Sequence, residues 1–295
     1  MNWTVAHRIA GIRAIQAHCD LGIDRTRYIS VHRALGAAGI VGMAQPMPRL
    51  FGVYYAPPDN GPAVLLNASL NVITQRHTAA HELGHHLFGH RTAADEDLDP
   101  ALRRAGAQWP EEEKLAEAFA AWFLMPRPAV QAGLARICRG APSSPEEVYR
   151  LAQELGTSYA GTVRHLDHLR MLAPGQAGSW AKIAPAALRK SLSGGGKLPS
   201  DRQLHVLTAA SHQQQVHAEA GDVLLAQAPA ASFAALPAGL SAREGALPAG
   251  PAVTVTEELS GPVRLEMTMP DRAAPVEITV VRESPRHGID EVWPD

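Results

Sequence analysis

The 295-residue chain is about two domains long, taking roughly 100–200 residues per domain. Its 46% hydrophobic and 19% charged residues exclude wholesale disorder. A net charge of −2 leaves no basic excess for gripping nucleic acid through phosphate neutralisation alone, and no apolar run is long enough to span a membrane.

Cys19 and Cys138 are too few and too far apart for a disulfide framework. The first twenty residues place arginines inside their apolar stretch, unlike a secretory signal, so a cytoplasmic protein is expected. Residues 3–19 carry Ile9, Ile12 and Ile15 at helical spacing, and a second helix is expected over 27–38, ended by Gly36 and Gly39. Two apolar runs, 51–55 and 63–66, flank Pro57-Pro58-Asp59-Asn60-Gly61-Pro62 and read as a hairpin or two adjacent strands. From 71 to 89 the pattern is helical, with Val72, Ile73, Leu83 and Leu87, and a charged loop over 91–108 follows. The next helix runs 111–124 behind Pro110. Its three opening glutamates suit the helix dipole, and Met125-Pro126-Arg127-Pro128 stops it.

Residues 145–172 form a compact pair of helices turning at Gly156-Thr157-Ser158, similar in outline to a helix-turn-helix. Glycine and proline dominate 174–199, which reads as a linker. The tail then alternates. Val253 and Val255, then Val263, Leu265, Met267 and Met269, then Val276, Ile278 and Val280, predict a β-meander with one wet face. The expected class is therefore α+β. A mainly helical domain over 1–140 carries a small sheet, the helix pair covers 141–173, and a separable β-rich domain covers 200–295.

Chemistry concentrates in one helix, where His81-Glu82-Leu83-Gly84-His85 is an H-E-x-x-H run. Residues four apart share a helix face, so His81 and His85 can grip one Zn²⁺ while Glu82 serves as general base toward its water. A third ligand is needed. Phe88 and Arg91 stand where a metzincin has Gly and His, which rejects that class and points to a glutamate on the following helix. Glu111, Glu112, Glu113 and Glu117 are placed for it. Glu113 and Glu117 share a face, with Glu113 the first choice. Ala79, Ala80 and Gly84 leave room for another element to pack closely. His77 and His90 read as supporting or surface histidines rather than ligands, and His86 and Tyr54 as packing residues.

These residues also carry a resemblance. Arg76 to Leu87, followed by Glu113-Lys114-Leu115-Ala116-Glu117-Ala118-Phe119-Ala120 and Leu124-Met125-Pro126, resembles the ImmA/IrrE family of metallo-endopeptidases. The family pairs an R-x-x-x-A-H-E-L-G-H helix with an E-x-x-A-N-x-F-A…L-M-P helix, and Glu117 stands where its asparagine is usual. The resemblance covers about residues 5–172 and implies a zincin-like peptidase fold with His81, His85 and Glu113 as ligands and Glu82 as catalytic base. It implies Zn²⁺, with Mn²⁺ the alternative metal, and a protein substrate, typically a helix-turn-helix repressor cleaved under stress or mobile-element induction. The rival expectation is a DNA-binding regulator that uses 145–172 and a non-catalytic metal site.

Overall fold

A computed structural model of the chain describes residues 1–96, 109–138, 140–245 and 247–289. Most of the expected charged loop, 97–108 with Asp97 and Asp99, lies outside the described residues. The chain divides into two units, residues 1–130 with the described 285–289, and residues 131–284. Helices and three small sheets make the fold mixed α and β, as expected, with a β-rich region toward the C-terminus. No helix among the described residues is long and apolar enough to cross a membrane.

In the first unit, α1 (Trp3–Asp20) starts at Asn2, whose side chain accepts from Val5 N. It inverts the expected pattern. Ala6, Ala10, Gly11, Ala14 and Ala17 are buried, whereas Ile9, Ile12 and Ile15 are exposed. The reason is close packing, since a Cβ on Gly11 would already lie 3.3 Å from the Trp122 ring. The helix expected over 27–38 is the shorter α2 (Val31–Ala37), capped by Ser30. A strand without a clear sequence signal, β1 (Val41–Gln45), runs parallel to β3 (Ala63–Asn67). The two expected strands are β2 (Leu50–Tyr55) and β3, antiparallel with Gly52 opposite Leu66. Next comes α3 (Val72–Phe88), which Asn71 caps at one end; Gly89 ends it in the left-handed region at φ 69°. The start of the expected loop is instead an edge strand, β4 (Ala93–Glu96), paired with β2. The glutamate-rich helix is α4 (Glu111–Leu124), and α5 (Arg127–Ile137) follows directly because Pro128 suits a first helical turn.

In the second unit the helix pair is α6 (Pro145–Leu155) and α7 (Tyr159–His168), joined through Gly156 at φ 63° and the cap Ser158. The stretch expected to be a linker holds α8 (Gln176–Trp180) and α9 (Pro185–Leu192), whose Leu188 and Leu192 are buried. The strands β5 (Leu204–Leu207), β6 (Gln214–Ala218), β7 (Val223–Ala226), β8 (Ser232–Phe233), β9 (Leu240–Ala242), β10 (Ala252–Val255), β11 (Val263–Thr268) and β12 (Val276–Arg282) form two sheets. Their orders are β5-β7-β10-β9 and β6-β12-β11-β8, and one apolar core drawn from both contains Leu224, Val253, Leu265 and Ile278.

Two of the expected meander strands pair directly, with Leu265 opposite Ile278. The third, β10, joins the other sheet through β7 and β9. Alternation reveals which face of a strand is buried but not which strand lies beside it. The helix pair belongs to the same unit as these sheets. Buried Tyr149 of α6 accepts from Leu204 N at 3.1 Å and donates to Gln203 Oε1 at 3.3 Å. The division therefore falls near residue 131, ahead of the helix pair, rather than in the glycine-rich stretch. After β12 the chain returns to the first unit, where Arg286 N donates to Gln75 Oε1 at 2.7 Å and β13 (Gly288–Ile289) pairs with β1.

Candidate metal centre

The centre is built where α3 meets α4. A Cβ on Gly84 would lie 3.1 Å from Ala116 Cα and 3.1 Å from the Phe119 ring, tighter than ordinary contact, so the glycine eases the close approach of the two backbones. On the other side of α3, a Cβ on Gly52 of β2 would sit 2.6 Å from Thr78 Cγ2 and 2.8 Å from Glu82 Oε1. The helix is thus held closely on two sides, by its own Gly84 against α4 and by Gly52 of β2 against its Thr78 and Glu82. Arg76, the largest fully buried side chain, donates to Ile29 O at 3.0 Å and lies 3.8 Å over the Tyr28 ring.

That seating brings three donor groups together. His81 Nε2 and His85 Nε2 are 3.0 Å apart. Glu113 Oε2 is 3.2 Å from the first, and Glu113 Oε1 is 3.4 Å from the second. Both imidazoles are buried and the carboxylate is mostly so. Zinc bound to such atoms at roughly 2.0–2.1 Å in a tetrahedron sets its ligands about 3.3–3.4 Å apart. One ligand atom from each of the three residues lies within 4.8 Å of the other two, and two nitrogens with one carboxylate oxygen are a donor set that zinc accepts.

Electrostatics points the same way. Burial works to raise the Glu113 carboxyl, but hydrogen bonds and charge from His81 and His85 outweigh it and hold the group well below the usual carboxylate range. Glu113 is therefore ionised and aimed at the imidazoles.

The far sides of the two rings are held as well. His81 Nδ1 lies 3.5 Å from Glu117 Oε2, which also accepts from His77 Nε2 at 2.9 Å. His85 Nδ1 faces His90 Nδ1 at 3.0 Å, because the left-handed Gly89 folds the chain back over the end of α3. Such outer contacts fix ring orientation and leave Nε2 for the centre. The structure thus separates the two glutamates, with Glu113 at the Nε2 side of the histidines and Glu117 at the Nδ1 side of His81. Glu82, one residue from His81, is buried beside Gly52. Tyr54 is a core residue, its hydroxyl 3.0 Å from His86 Nδ1.

Residues 47–165 match the family model for the IrrE N-terminal-like domain of the M78 peptidases. Over that stretch the chain is similar to the IrrE N-terminal-like family of metallopeptidases. The matched stretch holds the strands β2 and β3, the candidate metal cluster on α3 and α4, and the helix pair up to the middle of α7. No curated protein matches the chain. The residues that support the candidate site were the hardest to foresee. His77 and His90 left only a weak signal as neighbours of the motif, and Gly52 left none, because its role depends on a helix packed across its strand.

Proposed function

We propose that this domain is a zinc-dependent endopeptidase in which His81, His85 and Glu113 hold the metal and Glu82 handles the protons. The observation that carries the reading is the cluster of His81, His85 and Glu113 at the contact of α3 and α4, with one ligand atom from each within 4.8 Å of the others. Bound there, zinc supplies a Lewis acid that acidifies water and polarises a scissile carbonyl. Glu82 takes the proton of the attacking water and returns it to the leaving amine, a base and then an acid in one turnover. Its burial keeps bulk water from competing for that proton. Glu117 and His90 hold the two imidazoles so that neither ring turns its Nε2 away. Manganese is the alternative metal.

The substrate is a protein, and the resemblance to the ImmA/IrrE family makes a helix-turn-helix repressor the first choice. The test mixes the purified, zinc-loaded protein with a repressor of that kind encoded beside its gene. The parent should cleave it, and Glu82→Gln should keep the metal but lose roughly 10²-fold or more in rate. Equal cleavage by parent and mutant would remove Glu82 from the mechanism.

A further inference from the structure

One side of α1 carries the small residues Ala6, Ala10, Ala14 and Ala17, all buried, with Gly11 close to the Trp122 ring of α4. The other side is apolar and open. Val5 is 40% exposed, Ile9 42%, Ile12 62% and Ile15 51%. The usual amphipathic order is reversed, with small residues facing the core and branched aliphatic ones facing water. A contiguous apolar patch of this kind marks an interaction surface.

The spacing identifies the occupant. Val5, Ile9, Ile12, Gln16 and Cys19 recur at intervals of four, three, four and three, and all five are exposed. That is the seam along which one helix packs lengthwise against another, with a β-branched residue at Ile9 and a single polar residue, Gln16, in line to set the register. It extends over about 21 Å of helix. Arg8 and Ile15 flank the seam on one side, Arg13 and Asp20 on the other.

We propose that this face of α1 pairs with the same face of a second copy of the chain, the two helices running antiparallel. Charge sets the direction. In a parallel pair each flank meets the opposite flank five residues on, which would place Arg8 beside Arg13 of the second copy, twice. In an antiparallel pair like flanks meet, so the stem of Arg8 lies along Ile15 of the second copy while its guanidinium stays in water. Ile9 and Ile12 of both copies then interlock at the centre, with Val5 against Gln16 at each end. The four half-exposed aliphatic side chains offer roughly 200–400 Å² of apolar surface per copy. Both copies with their polar rim stay below about 1,200 Å², the size class of weak, reversible association.

The experiment is sedimentation equilibrium of the full-length, zinc-loaded protein across a concentration series. The parent should pass reversibly from monomer to dimer, with a Kd that is micromolar or weaker. Ile12→Glu puts two carboxylates at the centre of the seam and should weaken association at least about a hundredfold. Ile12 is exposed and outside the metal cluster, so this variant should keep the parental metal content and Tm. Mixing it with Ile12→Lys should restore a dimer containing one copy of each, because opposite charges then meet. Direction is read with Cys138→Ser, which leaves exposed Cys19 as the one thiol. Antiparallel pairing holds the two Cys19 residues more than about 20 Å apart along the helices, so mild oxidation should give no covalent dimer. Quantitative cross-linking there would overturn the arrangement. A parent that stays monomeric, or a dimer that Ile12→Glu leaves intact, would overturn the proposal. So would a monomer that sediments with anionic lipid vesicles, which would assign the face to a membrane.

Discussion

Gly52→Ala tests whether the seat of α3 positions the Glu82 carboxylate, the proposed proton carrier. The added methyl would start 2.8 Å from Glu82 Oε1 and 2.6 Å from Thr78 Cγ2, with the Leu65 carbonyl oxygen 3.3 Å away on the strand side. Ordinary contact begins near 3.4 Å, so Glu82 must give way by about 0.6 Å and Thr78 by about 0.8 Å. Retreat of the strand is opposed on one side, where Gly52 is paired with Leu66 of the central strand β3. Overpacking of this kind costs about 1–3 kcal/mol, which is several degrees in Tm. A carboxylate displaced by something near 1 Å should lose up to about 10²-fold in turnover. The histidines are not struck by the new methyl, so metal content should stay at parental level. The three readouts are Tm, bound metal by elemental analysis, and cleavage rate on any protein substrate the parent accepts. A variant that holds its metal and cleaves at the parental rate would refute the idea that Gly52 sets the place of Glu82.

Three further outcomes follow from the geometry. Glu113→Ala should strip most of the bound metal, whereas Glu117→Ala should keep it within about tenfold to a hundredfold in affinity, the usual range for an outer partner; equilibrium metal titration separates them. Buried His18 donates to Phe123 O at 2.9 Å, and burial lowers its pKa to about 4. Its unfolded form titrates near 6.5, so the unfolded chain binds more protons between those values. Stability is therefore full above about pH 6.5 and falls by about 3 kcal/mol as pH drops toward 4. His18→Gln should flatten that part of the stability profile, and a profile identical to the parent's would exclude His18 as its source. Tyr149→Phe leaves the buried Leu204 N–H without its acceptor and should cost about 1–3 kcal/mol by denaturant unfolding.

What could be read in advance was local. Asn71, Gly89 and Pro110 mark helix ends within a few residues of the backbone groups they serve, so α3 and α4 were legible to within a residue or so. The H-E-x-x-H spacing likewise places His81 and His85 on one face without knowledge of the rest of the fold. The choice between Glu113 and Glu117 depended on the approach of α4, which Gly84 and Ala116 set through contact between residues far apart in sequence. The buried face of α1 was hidden for a related reason, since its alanines matter only because another helix packs tightly against them. β10 and β13 carry too few residues to announce their partners, and β13 lies beyond the sandwich yet pairs with β1 near the start of the chain. The glycines at 194–196 read as a linker, although the helices before them bury leucines in the same unit as the sheets.

The most direct test of the account is anomalous diffraction at the zinc edge from crystals of the zinc-loaded protein. It should give a single peak between α3 and α4, about 2.0–2.2 Å from His81 Nε2, His85 Nε2 and a carboxylate oxygen of Glu113. Glu117 should lie outside the coordination sphere, against His81 Nδ1. A peak ligated by Glu117 in place of Glu113, or one located away from these three residues, would contradict it.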